Sequence, residues 1–115
     1  MITIDDCLKY VTSITQLDKD NLFKCDKCGH KTQALKRTSL WKLPENLIVY
    51  IVRHLSTYHN GRLETMKDDR MVYIPMLLDV KPYTCNRMNK TTFKLESIGC
   101  HIGVLSGGHC TARIK

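Results

Sequence analysis

The longest uninterrupted apolar run in this chain is six residues, Leu47-Ile48-Val49-Tyr50-Ile51-Val52. That limit removes several architectures at once. A membrane-spanning helix needs about 20 apolar residues. A buried helix is longer than this run and poorer in β-branched side chains. A short stretch rich in Val, Ile and Tyr reads instead as a strand buried on both faces. Pro44-Glu45-Asn46, just before it, supplies turn chemistry.

The rest of the chain divides at residue 20. Upstream, Ile4, Cys7, Leu8, Val11 and Ile14 recur at helical spacing, and Asp5-Asp6 suits a helix N-terminus. A short helix over 4–14 is predicted, followed by a polar break from Leu17 to Asn21. Downstream the pattern is that of strands. Residues 33–43 carry Ala34, Thr38, Leu40 and Trp41 between basic side chains, and Trp41 is expected in the core. Residues 55–70 are polar, contain Asn60-Gly61, and read as a long hairpin loop. Met71-Val72-Tyr73-Ile74 ends at Pro75, and Leu77 to Val80 is short and extended before Pro82. Residues 91–104 and 109–114 read as two strands around Leu105-Ser106-Gly107-Gly108. The fold class is α+β: one short N-terminal helix, then a mostly antiparallel sheet of about five strands, with a ribbon protruding at residues 20–43. At 115 residues the chain is one domain or part of one, expected to bury roughly 65% of its unfolded surface.

Eighteen Lys and Arg against 11 Asp and Glu give a net charge of +7. Residues 1–60 hold nine basic and six acidic side chains and residues 61–115 nine and five, so no basic arm stands out. Solvated surface accounts for the excess better than a polyanion partner, and nucleic acid is not the expected partner. The N-terminus is acidic and lacks a long apolar stretch, so no secretory leader or membrane association is expected. The six cysteines are then expected to be reduced thiols in a cytoplasmic or nuclear protein.

Two short motifs carry chemistry. In Cys25-Asp26-Lys27-Cys28-Gly29-His30, two thiolates spaced to reach one tetrahedral zinc precede a glycine that permits a tight turn. One such knuckle is half a structural site, since four ligands are needed. A redox pair would require a βαβ context that Gly29 to Gln33 does not offer. Zinc half-site, ordinary thiols and redox pair all stay open on spacing alone. In Gly107-Gly108-His109, two glycines allow close backbone approach and a histidine follows directly, as a general base or as an exposed turn residue. His54 reads as a packing residue, His59 as solvated and His101 as partly buried. The methionines share no period and read as packing residues.

Taken in order, these segments resemble the C-terminal half of the catalytic domain of ubiquitin-specific proteases, papain-like cysteine proteases that remove ubiquitin. The likeness rests on Asn21-Leu22-Phe23-Lys24-Cys25 to Cys28, on Trp41-Lys42-Leu43-Pro44-Glu45-Asn46-Leu47, and on Val52-Arg53-His54. It continues through Val72 to Pro75, Leu78-Asp79-Val80, Pro82-Tyr83, Phe93-Lys94-Leu95, Ile98 to Gly103 and Gly107 to Ala112. The resemblance implies a partial catalytic domain over 1–115 that forms fingers and palm around ubiquitin. It implies His109 as the catalytic base, Gly107 and Gly108 beside the channel for ubiquitin's C-terminal tail, and Cys25 and Cys28 as half of a four-cysteine zinc site. The family's nucleophile box, an Asn/Gly-rich cysteine segment, precedes the knuckle and has no match here. Cys110 stands where the family has Tyr, and His54 where it has Phe. The implied activity is thiol-dependent hydrolysis of ubiquitin isopeptide bonds, with the N-terminal half of the domain as partner and the isolated chain inactive. The alternative is a non-catalytic zinc-ribbon-like module that binds ubiquitin or nucleic acid.

Overall fold

In the computed structural model, which describes residues 1–114, the predicted helix runs from Ile4 to Thr12 and is called α1. Its start is set by reciprocal capping. Thr3 Oγ1 accepts from the Asp6 N–H at 3.0 Å, and Asp6 Oδ2 accepts from the Thr3 N–H at 2.9 Å. Two donors that the helix itself cannot satisfy are thereby paired. One turn on, Lys9 Nζ meets Asp5 Oδ2 at 2.6 Å. The helix ends where Ser13 turns to extended backbone.

The strands are β1 (Ile2–Thr3), β2 (Thr15–Leu17), β3 (Phe23–Lys24), β4 (Lys31–Thr32), β5 (Ala34–Lys36), β6 (His54–His59), β7 (Arg62–Lys67), β8 (Val72–Tyr73), β9 (Leu77–Asp79), β10 (Thr92–Lys94), β11 (Ser97–Val104) and β12 (Gly107–Ile114). The α+β reading, with one helix and many strands, holds among the described residues. The single sheet does not. The strands pair as six two-stranded ladders: β1–β8 is parallel, while β2–β5, β3–β4, β6–β7, β9–β10 and β11–β12 are antiparallel.

Three expectations fail together: among the described residues, side chains expected to be covered are left largely exposed. Leu47 to Val52 forms no strand and, among the described residues, belongs to no ladder, and Ile48 is 89% exposed. Trp41 is 68% exposed rather than core, and Met66, Met71 and Met76 are exposed too. His54 and His101 are likewise exposed. Residues 55–70, read as a long hairpin loop, are mainly the paired strands of the β6–β7 hairpin. Its register pairs Leu55 with Met66 and Tyr58 with Leu63. Those apolar pairs lie on opposite faces, so the strands show no alternation of period two. Asn60 and Gly61 close the hairpin at φ 50 and φ 76, the left-handed pair that a tight two-residue turn requires.

The buried apolar core is small. Ile4 and Tyr83 are 3% and 4% exposed, and Val80 is fully buried. They meet where α1 packs on the 3-10 turn Lys81–Tyr83. The Tyr83 hydroxyl donates to the Asp5 carboxylate and lies 3.2 Å from the Asp5 carbonyl oxygen. Leu40 ties the turn to the ribbon, its N–H donating to Tyr83 O at 2.8 Å and its carbonyl accepting from Cys85 N at 3.1 Å. The accessible surface is 10233 Å², against roughly 6,500 Å² for a compact chain of this mass. The radius of gyration is 18.4 Å, against about 13 Å for a compact chain. The chain buries only about half of its unfolded surface, short of the expected two thirds.

Candidate active site

β11 and β12 form the longest ladder, from Ser97 opposite Ile114 to Val104 opposite Gly107. A two-residue turn, Leu105-Ser106, joins them. Neither turn residue has a positive φ, so this is not the left-handed type whose twist matches the strands. The unusual backbone sits one rung below, at Gly103, φ +130. A Cβ there would lie 2.6 Å from Gly108 Cα and 2.7 Å from Gly107 O. A Cβ on Gly108 would lie 2.5 Å from Ile102 O and press on His101 Nε2. Gly107 has open space around it. The two glycines paired in the motif therefore differ: Gly108 is required by close approach, and Gly107 is not.

His109 is the third residue of β12, exposed, and directly opposite Ile102. Cys110, its neighbour in sequence, points to the other face and pairs with His101. Cys100 is on the same face as His109 but pairs with Thr111, one diagonal away. Diagonal neighbours stand roughly 7 Å apart, well beyond the ~3 Å needed for proton transfer.

Beside the hairpin tip, a cleft of about 510 Å³ opens between β7 and the β11–β12 turn, lined by Thr65, Met66, Lys67, Gly103, Leu105 and Ser106. Its β7 side is anchored by a corner that the sequence pattern did not reveal. Arg53 Nη1 donates to Arg70 O at 2.5 Å and to Asp68 O at 3.3 Å. Arg70 grips the Asp68 carboxylate through Nε at 2.9 Å and Nη2 at 2.6 Å. Those hydrogen bonds from Arg70 hold the Asp68 carboxyl down at about 2. The one available sequence signal was the Asp68-Asp69-Arg70 triplet, which by itself reads as solvated charge.

The knuckle sits on the β3–β4 hairpin. Gly29, at φ +71, lets its N–H donate to Cys25 O at 2.8 Å while Cys25 N donates to His30 O at 3.0 Å. Cys25 and Cys28 are thereby held on one turn. Backbone N–H groups of Cys28 and then Lys27, followed by the Cys28 thiol, lower the Cys25 thiol below its usual value. Donors aimed at sulfur favour the thiolate, which is the metal-binding form. The donor set thus fits a zinc ion, but only by half. Among the described residues no group of three or more His, Cys, Asp or Glu is placed to hold a metal.

The sequence profile of the ubiquitin carboxyl-terminal hydrolases matches residues 3–115. The chain belongs to this family. It is 34% identical over 113 residues to a probable ubiquitin carboxyl-terminal hydrolase of Acanthamoeba polyphaga mimivirus, covering 94% of this chain and 23% of that protein. It is 30% identical over 115 residues to ubiquitin carboxyl-terminal hydrolase 2 of Gallus gallus, covering 99% of this chain and 31% of that protein. Among solved structures, it superposes on a chain of the SAGA DUB module bound to monoubiquitin with TM-score 0.81 and 26% identity, covering 99% of this chain and 25% of that one. The same module bound to ubiquitin aldehyde gives TM-score 0.80 and 25% identity, covering 99% and 26%. The chain therefore spans about a quarter to a third of the length of these relatives. The resemblance read from the motifs is borne out at the level of family and fold. Among the described residues, no helix is long and apolar enough to cross a membrane.

Proposed function

We propose that this chain supplies the histidine half and the ubiquitin-cradling strands of a thiol-dependent deubiquitinase that hydrolyses ubiquitin isopeptide bonds. The observation that carries the reading is His109, exposed on a hairpin whose glycines bring two backbones into close approach. His109 would take the proton of a cysteine thiol brought within about 3 Å, then return it to the departing amine. Cys110 faces away and Cys100 lies a diagonal off, so the nucleophile is assigned to a second half of the domain. Gly107, with open space around it, would border the path of an extended ubiquitin tail. Relatives solved with ubiquitin aldehyde and monoubiquitin support ubiquitin as the partner. Cys25 and Cys28 would hold zinc once the second half brings two more ligands; the ion would add structural stability at the ribbon tip.

The test is reconstitution with a nucleophile-bearing half, assayed on a ubiquitin fluorogenic amide. The isolated chain should be inactive and the reconstituted enzyme active. His109→Ala should abolish activity, and Cys25→Ala should release the bound zinc. Cleavage by the isolated chain would move the nucleophile to Cys100 and overturn the split assignment. Ubiquitin binding without cleavage in any combination would favour the non-catalytic reading.

A further inference from the structure

Lys67, the last residue of β7, has a side chain only 16% exposed. Its Nζ donates to Gly103 O at 2.7 Å and to His101 O at 3.4 Å, and lies 3.1 Å from Asp69 Oδ1. The two carbonyls belong to the residues on either side of Ile102, and Ile102 is the ladder partner of His109. Alternate carbonyls of a strand leave it on the same edge, so one ammonium caps the edge of β11 at the rung that carries His109. Natural sheets use lysine to blunt open edges. Here the lysine comes from a different ladder. The hairpin needs such a brace, because its turn lacks the matching twist and Gly103 sits in a left-handed conformation that other residues avoid.

We propose that Lys67 is a positioning residue for catalysis: it fixes the two peptides flanking Ile102 and so sets where His109 stands. This rests on the reading of His109 as the base. Lys67→Met keeps the aliphatic stem and removes every donor. A misplacement of about 1 Å costs roughly a hundredfold in rate, so kcat per titrated active site should fall about ten- to a hundredfold in the reconstituted enzyme. KM should stay within about twofold, since the loss concerns the chemical step. Lys67→Arg should restore most of the rate. A merely structural role would lower the fraction of titratable sites and leave kcat per site intact, and that result overturns the proposal. Should Lys67→Met fail to fold, Lys67→Leu, which likewise removes every donor, is read the same way, and an unchanged kcat overturns the proposal. His109→Ala separates the two ideas. If it abolishes activity while the Lys67 variants leave kcat unchanged, only the Lys67 inference falls. If it is tolerated, the base assignment falls and takes this inference with it.

Discussion

Gly103 and Gly107 sit one rung apart at the tip of the same hairpin, yet a methyl group added to each would meet different surroundings. At Gly103 it would meet the backbone of Gly107 and Gly108, at a φ of +130. Backbone cannot swing aside as a side chain can, so the whole tip would have to shift. Gly103→Ala is expected to destabilise the reconstituted enzyme by about 1–3 kcal/mol, and to lower activity by moving the rung that carries His109. At Gly107 the methyl would enter open space, so Gly107→Ala should change stability by no more than about 0.5 kcal/mol. Denaturant melts of the two variants check this directly, and equal losses would refute it. A raised KM for ubiquitin in Gly107→Ala, with stability intact, would place Gly107 beside the substrate tail.

How α1 is held matters more than how it forms. Only nine residues long, it is too short to persist alone in water. Its capping box sets where it begins, and its docking on the Lys81–Tyr83 turn keeps it folded. Tyr83 is the tether. Burial, then the nearby Asp5 carboxylate, push its phenol up to about 12. An unfolded tyrosine titrates near 10, so the native state holds this proton more tightly than the unfolded chain does. The tether's contribution is therefore full below about pH 10 and fades as pH rises from there to about 12. Urea midpoints of the reconstituted enzyme should fall across that window. In Tyr83→Phe the fall should be smaller, and stability near neutral pH should already be lower by about 1 kcal/mol for the lost hydrogen bond. Parallel curves for the two proteins in the alkaline window would show that Tyr83 is not the group responsible.

With 10233 Å² accessible, the molecule exposes several thousand Å² more than a compact chain of its mass, on the order of the surface buried in an obligate interface. Ile48, Tyr50, Val52 and Tyr58 are among the apolar side chains left uncovered. The six two-stranded ladders among the described residues are also marginal as independent units, because a hairpin needs a third strand or a packed face to be stable in water. The isolated chain should therefore unfold over a broad denaturant range and bind an apolar dye strongly. Adding the nucleophile-bearing half should sharpen unfolding into one transition and suppress dye binding. A sharp, dye-free transition of the 115-residue chain alone would contradict this account.

Some of this was determined by local chemistry and so could be read without coordinates. Helix α1 follows from apolar spacing and from Thr3 and Asp6, which satisfy each other within one turn. The tight turn that holds Cys25 and Cys28 together follows from their spacing and from Gly29. The placement of His109 away from Cys110 follows from the two-residue repeat of a strand. Other features depend on which groups meet across long sequence distances, and only the tertiary structure decided them. Leu47 to Val52 has the composition of a central strand, but a strand exists only where another lies beside it, and among the described residues none does. The Asn60-Gly61 turn marked a hairpin, but the strands of β6 and β7 hid behind apolar residues placed on both faces. Lys67 reaches carbonyls 34 and 36 positions away, and no pattern in a linear sequence marks a lysine as enclosed. Local propensity and spacing set the helix and the Cys25–Gly29 turn, while strand pairing, burial and the grip on the His109 hairpin came from long-range packing that only the folded chain defines.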